Sequence, residues 1–313
     1  MIIGMVGLGK MGGNMSRRLH DHGHQVIGFD MNQMQIEDVS ANLAGSANSI
    51  SELIDKLPKP RVVWVMVPAG DPIDKTMAQL ARLLDSGDIV IDGGNTFYKE
   101  SQMHSEMLGK KGIHFLDIGV SGGIWGLAEG YCLMAGGESE TLEQIGPILD
   151  ALSCEGGFAH VGPAGAGHFT KMVHNGVEYA MLEAYGEGFE LLNASPFDLD
   201  LRQVASVWMH GSVVRSWLLE LAETAFHRNP NLSGIAGRVE DTGEGRWTVE
   251  SAVEMAVPVP VIAEALFARF RSREAESFSG KVIAALRHEF GGHKLLFEPT
   301  SEMETRTDEE KAA

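Results

Sequence analysis

Four polar side chains near the middle of the chain carry acid–base and hydrogen-bonding groups at a regular spacing. His174, Asn175 and Glu178 follow Lys171 by three, four and seven residues. At about 100° per residue, an α-helix gathers these four side chains on about one third of its circumference. Together they offer an amine that burial can turn into a base, a carboxylic acid, and two groups that can orient oxygens. The segment therefore indicates proton-transfer chemistry of the kind that an alcohol oxidation needs.

The other side of this predicted helix is apolar, which favours a helix packed in protein with its polar stripe facing a cleft. A solvated face of an ordinary amphipathic helix is the alternative, because such stripes are common. The residues predicted to form the packed side are Met172, Val173, Val177, Ala180, Met181 and Ala184.

Ser121-Gly122-Gly123 follows an apolar segment that ends at Ile118. A hydroxyl and two backbone N–H groups free of bulky side chains would suit a substrate carboxylate. A simple β-turn remains the alternative.

A glycine motif lies at the start of the chain, directly after the predicted strand Ile2–Val6 and before an amphipathic segment. In the GxGxxG fingerprint, the first glycine permits a tight turn, the second lets the backbone approach a pyrophosphate, and the third allows close helix packing. This context predicts a dinucleotide site, although a glycine-rich turn without a ligand is the alternative. The motif consists of Gly7, Leu8, Gly9, Lys10, Met11 and Gly12.

Asp30 ends the second predicted strand, 18 residues after Gly12. An acid at this spacing accepts hydrogen bonds from the ribose hydroxyls and would repel a 2′-phosphate. Residues 31–36 contain no Lys or Arg to offset that repulsion. The pattern favours NAD over NADP, with a turn or capping aspartate as the alternative.

Short β-branched segments alternate with longer amphipathic segments up to about residue 160. This rhythm predicts an α/β Rossmann-type doubly wound parallel sheet over residues 1–162. The glycine-rich segment Val161–Gly167 separates it from an all-α domain over residues 163–297, and residues 298–313 form an acidic tail expected to be flexible. The predicted strands are Ile2–Val6, Gln25–Phe29, Val62–Val67, Ile89–Ile91, His114–Ile118 and Leu133–Ala135.

Five helices are predicted after the glycine-rich segment, with prolines between them or at their starts. They lie around His168–Asn193, Leu201–Leu221, Thr248–Met255, Val261–Arg273 and Lys281–Glu289.

The composition is that of a globular protein, with 44% hydrophobic and 22% charged residues. A net charge of −18 repels nucleic acid and anionic membrane surfaces, so neither partner is expected. Cys132 and Cys154 are the two cysteines, which indicates neither a disulfide framework nor a cysteine-type metal site and fits a reduced cytoplasmic setting. The first residues predict a strand rather than a signal peptide, and no apolar segment is long enough to span a bilayer.

Five segments together resemble the decarboxylating 6-phosphogluconate dehydrogenases of the β-hydroxyacid dehydrogenase superfamily, specifically their short-chain NAD-dependent type. The resemblance covers about residues 2–293. The glycine motif and the Lys171–Asn175 pair are shared more widely, including with 3-hydroxyisobutyrate dehydrogenases. The more specific segments are Asp92–Thr96, Gly119–Gly123, Lys171–Tyr179, Phe267–Arg269 and Arg287–His293.

The resemblance implies a role for each residue that matches the family motifs. Val67 and Asn95 line the cofactor site. Lys171 is the base on the C3 hydroxyl and, once protonated, stabilises the C3 oxygen while CO2 leaves; Glu178 then protonates C1 of the enediol. No metal is required. The sugar acid is held by Ser121, Gly122, Gly123, His174 and Asn175, and its phosphate end by Tyr179, Arg269, Arg287 and His293.

The chain departs from the long-chain members of the family at two places. They have Asn-Arg-Thr after the second strand, where this chain has Asp30-Met31-Asn32. They have Lys-Gly-Thr-Gly-Lys-Trp where this chain has Thr242-Gly243-Glu244-Gly245-Arg246-Trp247. Because Glu244 would repel a phosphate, either it points away, or Arg246 compensates, or the preferred acid is not phosphorylated.

The resemblance also implies a homodimer or homotetramer, because the Arg287–His293 signature of long-chain members reaches the phosphate site of the neighbouring subunit. A sugar-acid phosphate is the expected small-molecule partner. Two alternatives stay open at this point: an NAD-dependent dehydrogenase of another β-hydroxy acid, such as an unphosphorylated aldonate or 3-hydroxyisobutyrate, and a module that senses NAD/NADH without turnover. A sensor has no need of the Lys171 and Glu178 pair.

Overall fold

A computed structural model describes residues 1–296 of the chain. These residues belong to two compact units. The first comprises Met1–Ile235 and Asp241–Phe267, and the second comprises Ala236–Glu240 and the chain from Ala268 onward. The predicted tail, residues 298–313, lies outside the described residues.

The first unit begins with an eight-stranded sheet of order β3-β2-β1-β4-β5-β6-β7-β8. The first six positions follow the doubly wound order of a dinucleotide-binding fold, in which the order of successive strands reverses between β1 and β4. The predicted Rossmann-type sheet is therefore confirmed. Its strands are β1 (Ile2–Val6), β2 (Gln25–Phe29), β3 (Gly45–Ser46), β4 (Val62–Val65), β5 (Ile89–Asp92), β6 (His114–Ser121), β7 (Tyr131–Gly137) and β8 (Ser153–Gly162).

The central strands are buried on both faces because helices cover the sheet on either side. Along β4 and β5 all eight residues are buried. Trp64 and Ile91 belong to one apolar cluster, whereas their neighbours Val63, Val65 and Val90 belong to the cluster on the other face. This alternation, within segments that are apolar throughout, is typical of a parallel sheet.

The prediction of a wholly parallel sheet is wrong at one position, since β6 and β7 pair antiparallel. The connection between Ser121 and Tyr131 is too short for the crossover that parallel neighbours require, which takes about a dozen residues. Strands β3 and β8 were not predicted. β8 contains Gly156 and Gly157 and is mostly exposed, so its sequence has no alternating apolar pattern.

Eight helices precede residue 166 and cover the sheet. They are α1 (Lys10–Asp21), α2 (Gln33–Val39), α3 (Ile50–Asp55), α4 (Asp71–Leu83), α5 (Tyr98–Gly109), α6 (Gly126–Glu129), α7 (Ser139–Gln144) and α8 (Gly146–Leu152), with 3-10 turns at Ser40–Asn42 and Gly123–Trp125.

Between residues 166 and 296 all the regular elements are helices, as predicted. They are α9 (Ala166–Asn193), α10 (Leu201–Trp208), α11 (Trp217–Arg228), α12 (Glu244–Glu254), α13 (Pro260–Arg271) and α14 (Phe278–Gly291).

The single helix predicted over Leu201–Leu221 is wrong, because the chain forms α10 and α11 with a break between them. Gly211 in the break has φ 79°, a conformation that favours glycine. Ser216 then caps α11 by accepting a hydrogen bond from the backbone N–H of Leu219 at 3.1 Å.

The buried side of α9 matches only part of the side that the apolar pattern predicted, since Met172 is buried but other residues of that side are not. Val177 and Met181 are 46% and 37% exposed. Helix α12 packs against Met172 and Gly176, where the Thr248 hydroxyl donates to the Met172 carbonyl oxygen at 2.8 Å. Residues of the polar stripe are therefore among the most buried on this helix.

Candidate active site

The carboxyl ends of the central strands and the middle of α9 open onto one cavity of about 1890 Å³ within the first unit. A cavity at the point where the strand order reverses is the usual ligand site of an open α/β sheet. Its lining includes these predicted site residues: Gly7, Gly9, Met11, Asp30, Val67, Asn95, Ser121, Gly122, Gly123, Lys171, His174 and Glu178.

The glycine turn between β1 and α1 has the geometry that its motif predicts. Gly7 has φ 92°, and a Cβ there would lie 2.4 Å from the Met66 carbonyl oxygen. A Cβ at Gly12 would lie 2.0 Å from the Gly7 carbonyl oxygen. At Gly9 a Cβ would meet no described atom within 4 Å, so this position faces open space at the N-terminus of α1. An anion can approach the backbone there, and the turn fits a dinucleotide.

The other motif positions support this turn. Leu8 is buried in the core, and its backbone N–H donates to Asp30 Oδ2 at 2.7 Å. Asp30 Oδ1 accepts from the Asn32 backbone N–H, also at 2.7 Å. Asp30 thus joins the end of β2 to the glycine turn, and it also lines the cavity. A structural role for Asp30 in the turn is therefore compatible with a role in cofactor binding. Lys10 is exposed at the first position of α1.

Replacing Asp30 with Asn and Met31 with Arg should change the preference from NAD towards NADP. The change removes the carboxylate that would repel a 2′-phosphate and adds a cation at a residue that lines the same cavity. One charge-assisted hydrogen bond contributes about 1.5–3 kcal/mol, so we expect the kcat/KM ratio for the two cofactors to change by about tenfold to a hundredfold. Met103→Arg, an exposed position on α5, adds the same charge and should leave the ratio unchanged. Equal use of both cofactors by the parent protein would contradict the assignment.

Lys171, His174 and Asn175 form a connected group on α9. The Lys171 ammonium donates to Asn175 Oδ1 at 2.5 Å, and His174 Nδ1 lies 2.9 Å from the same oxygen. Because that oxygen can only accept, the His174 Nδ1–H donates, and the Nε2 atom of the same ring lies 3.3 Å from the Ser121 hydroxyl. The predicted stripe therefore meets the Ser121-Gly122-Gly123 turn, where both glycines have positive φ.

Burial gives Lys171 the electrostatics of a base. Its side chain lines the cavity although the residue is only 7% exposed. Burial lowers the pKa of the Lys171 ammonium, and the nearby acidic groups of Glu244, Glu178 and Cys132 partly oppose that effect. A lowered pKa makes the neutral amine available at lower pH than for an exposed lysine.

A buried aspartate that the sequence analysis did not single out holds the start of α9. Asp117, on β6, accepts the backbone N–H groups of Gly165 at 2.7 Å and His168 at 2.8 Å. Burial raises the pKa of the Asp117 carboxyl, while His168 and these two N–H groups oppose the rise. A carboxylate bonded to two N–H groups at a helix N-terminus is a strong anchor. A charged residue inside an apolar strand was the signal that could have indicated it.

Glycines let α9 lie directly on β6, which brings Lys171 to the cavity. A Cβ at Gly119 would lie 2.4 Å from Lys171 Cβ, and one at Gly167 would lie 2.2 Å from the Asp117 carbonyl oxygen. The hydrogen bonds from the start of α9 to Asp117 and these two glycines together fix the distance of Lys171 from the sheet.

The departure at Glu244 is resolved by its position. Glu244 is 3% exposed at the start of α12, where Asn175 Nδ2 and the Thr242 hydroxyl donate to Oε2, the latter at 3.1 Å. Arg246 forms an ion pair with Asp241 through two contacts of 2.8 and 3.0 Å. Glu244 therefore points into the protein, which corresponds to the first of the three alternatives given by the sequence, that its side chain points away from the phosphate.

The remaining predicted phosphate ligands belong to different parts of the chain. Tyr179 is buried on α9, and its hydroxyl accepts from the Thr242 backbone N–H at 3.3 Å. Arg269, Arg287 and His293 belong to the second unit. Within that unit Arg269 donates to the Glu240 carbonyl oxygen at 2.9 Å. The cavity lining also includes apolar residues that were not predicted: Ile124, Trp125, Trp217, Leu218 and Leu221.

Residues 1–296 contain no group of three or more His, Cys, Asp or Glu side chains placed to hold a metal ion. No helix among them is long and apolar enough to cross a bilayer.

The fold and the site define a dinucleotide-dependent dehydrogenase. Two family models match the chain: the NAD binding domain of 6-phosphogluconate dehydrogenase over residues 2–162, and the C-terminal domain of 6-phosphogluconate dehydrogenase over residues 167–289. The chain belongs to the 6-phosphogluconate dehydrogenase family, as the sequence motifs indicated.

Two relatives match over nearly their whole length. YqeC of Bacillus subtilis is 46% identical over 94% of this chain and 98% of its own. The NAD(+)-dependent, decarboxylating 6-phosphogluconate dehydrogenase of Haloferax volcanii is 42% identical over the same shares.

Solved structures agree with this assignment. The 6-phosphogluconate dehydrogenase of Plasmodium falciparum has a TM-score of 0.79 at 26% identity and covers 96% of this chain and 67% of its own. A 3-hydroxyisobutyrate dehydrogenase of Mycobacterium tuberculosis shares the fold, with a TM-score of 0.71 at 24% identity over 91% of this chain and 99% of its own. The family model over residues 2–162 is that of an NAD binding domain, which agrees with the cofactor predicted from the sequence. These comparisons do not favour the sensor or the other β-hydroxy acids.

Proposed function

We propose that the chain converts 6-phosphogluconate and NAD to ribulose 5-phosphate, CO2 and NADH, with Lys171 as the base and Glu178 as the acid. The observation that carries these roles is the buried Lys171–Asn175 pair, which opens onto the same cavity as the glycine turn and Asp30. Bound NAD supplies the acceptor for the hydride that leaves C3 of the sugar acid.

Lys171 takes the proton of the C3 hydroxyl in this proposal. Burial favours its neutral amine, and the hydrogen bond to Asn175 fixes where the amine points. The resulting ammonium then donates to the C3 carbonyl oxygen, which draws electrons from the breaking C1–C2 bond as CO2 leaves. Burial strengthens this donation because water does not compete for the ammonium.

Glu178 lines the same cavity two turns along α9 from Lys171. In this proposal it protonates C1 of the enediol, the carbon that was C2 of the sugar acid. His174 and Ser121, which contact each other, are proposed to orient the hydroxyl groups of the substrate. The backbone N–H groups of Gly122 and Gly123 are proposed to receive its carboxylate. Val67 and Asn95, with the glycine turn, are proposed to line the cofactor.

The phosphate end of the substrate is assigned to Tyr179, Arg269, Arg287 and His293. The inward position of Glu244 supports a phosphorylated substrate, since its carboxylate is occupied by Asn175 and Thr242. A phosphorylated acid approaching a protein of net charge −18 also needs clustered cations. We expect a higher kcat/KM for 6-phosphogluconate than for gluconate or 3-hydroxyisobutyrate when all three are assayed with NAD. A preference for an unphosphorylated acid would contradict this assignment.

A homodimer or homotetramer whose sites combine Lys171 of one subunit with Arg287 of another is part of the proposal. Mixing inactive Lys171→Met and Arg287→Ala proteins should then restore partial activity once subunits exchange. The division at residues 162 and 163 is proposed from the change of sequence pattern at the glycine-rich segment Val161–Gly167. The cytoplasmic location and the absence of nucleic-acid and membrane partners are proposed from charge and composition.

A further inference from the structure

Glu244 has a buried carboxylate that the proposed mechanism does not use. It lies in the first turn of α12, where a negative charge is favourable. Gly245 and Gly176 bring α12 close to α9: a Cβ at Gly245 would lie 2.5 Å from the Tyr179 ring, and one at Gly176 would lie 2.7 Å from Thr248. This close packing places the Glu244 carboxylate against the Asn175 amide.

A chain of two hydrogen bonds joins Glu244 to Lys171. Asn175 Nδ2 donates to Glu244 Oε2, and Asn175 Oδ1 accepts from the Lys171 ammonium at 2.5 Å. Because a carboxylate only accepts, it holds the NH2 side of the amide, which turns the carbonyl oxygen towards Lys171. All three residues are buried, and burial strengthens these bonds because the surroundings are less polarisable than water.

We propose that Glu244 is a positioning residue that acts through Asn175: it holds the amide oxygen towards Lys171 and supplies a negative charge that favours the ammonium form of this lysine. The inference rests on the proposed role of Lys171 as base. It also gives a reason for glutamate at a position where long-chain members have threonine in their loop.

The charges around Lys171 determine the direction of the expected effect. The groups that act on it are Glu244 on α12, Glu178 on α9 and Cys132 on β7, and all three oppose the lowering of the Lys171 pKa by burial. Removing the Glu244 charge should therefore lower that pKa further. Neutral amine would then be present at lower pH, and the acid limb of the kcat/KM profile would move to lower pH.

Two substitutions separate the charge of Glu244 from its contact. Glu244→Gln keeps an oxygen that can accept from Asn175 but removes the charge, so we expect the acid limb to move down by about one pH unit. Glu244→Asp keeps the charge on a shorter side chain, so we expect kcat to fall by about tenfold without that movement. Glu250→Gln, exposed on the same helix, makes the same charge change and should leave the profile as in the parent.

A second readout needs no substrate. Acetylation of Lys171 by acetic anhydride, followed across pH by mass spectrometry with and without NAD, reports its protonation in the parent, Glu244→Gln and Glu250→Gln proteins. The midpoint should move down in Glu244→Gln alone. A midpoint that stays in place, or activity losses accompanied only by a lower Tm, would overturn the role of Glu244. Absence of 6-phosphogluconate turnover in the parent would contradict the proposed function and leave the labelling result standing.

Discussion

Replacing Lys171 with Met is expected to lower the rate of 6-phosphogluconate oxidation by about 10²–10⁴-fold, the contribution of one positioned acid–base group. Methionine fills a similar volume but has no amine to accept the C3 proton. NAD affinity should change little, because the glycine turn and Asp30 are held by contacts that do not involve Lys171. Steady-state kinetics and a fluorescence titration with NAD measure the two quantities separately.

Lys110→Met is the matched control for this substitution. Lys110 is exposed at the end of α5, where it pairs with Glu106 at 2.9 Å. Loss of an exposed pair of this kind has a small effect on stability. Activity close to the parental level in the Lys171→Met protein would remove this lysine from the mechanism.

The Gly119→Ala substitution, which adds one methyl group on β6, is expected to impair the site by displacing α9. The new Cβ would lie 2.4 Å from Lys171 Cβ and 3.1 Å from the Gly167 carbonyl oxygen, so α9 must shift away from β6. Overpacking of this kind costs about 1–3 kcal/mol of stability. A displacement near 1 Å of a reacting group can lower the rate by about 10²-fold. Thermal unfolding and kcat/KM of the Gly119→Ala protein test both effects.

Gly109→Ala is the control, because a Cβ there would meet no described atom within 4 Å. Gly109 is the last residue of α5, and the added methyl group should leave both stability and activity near the parental values. If Gly119→Ala matched this control in kcat/KM, the close contact between α9 and β6 would not be what positions Lys171.

The parts of the fold with strong local patterns could be predicted from the sequence. The glycine turn follows from steric requirements at Gly7 and Gly12, and the buried central strands follow from their continuous apolar composition. The lysine and asparagine of the stripe were recognised because a helix brings residues four apart together. In each case the controlling interaction lies within a few residues of the chain.

The parts that could not be predicted depend on contacts between distant segments. β8 pairs with β7 although its own sequence is glycine-rich and largely exposed. Which residues of α9 are buried depends on α12, about 75 residues later in the chain, and not only on the apolar residues of α9 itself. The sequence identified Glu244 only as a departure from a loop motif, because the residues next to it give no indication that it contacts Asn175. The anchor formed by Asp117 likewise spans 48 and 51 residues.

We propose that this chain oxidises and decarboxylates 6-phosphogluconate with NAD. NADH and CO2 can be measured in parallel from the same reaction, with the Lys171→Met protein as the inactive reference. We expect equal amounts of NADH and CO2 from 6-phosphogluconate, and neither product from the reference. NADH formed without CO2, or no NADH from 6-phosphogluconate while another β-hydroxy acid is oxidised, would contradict it.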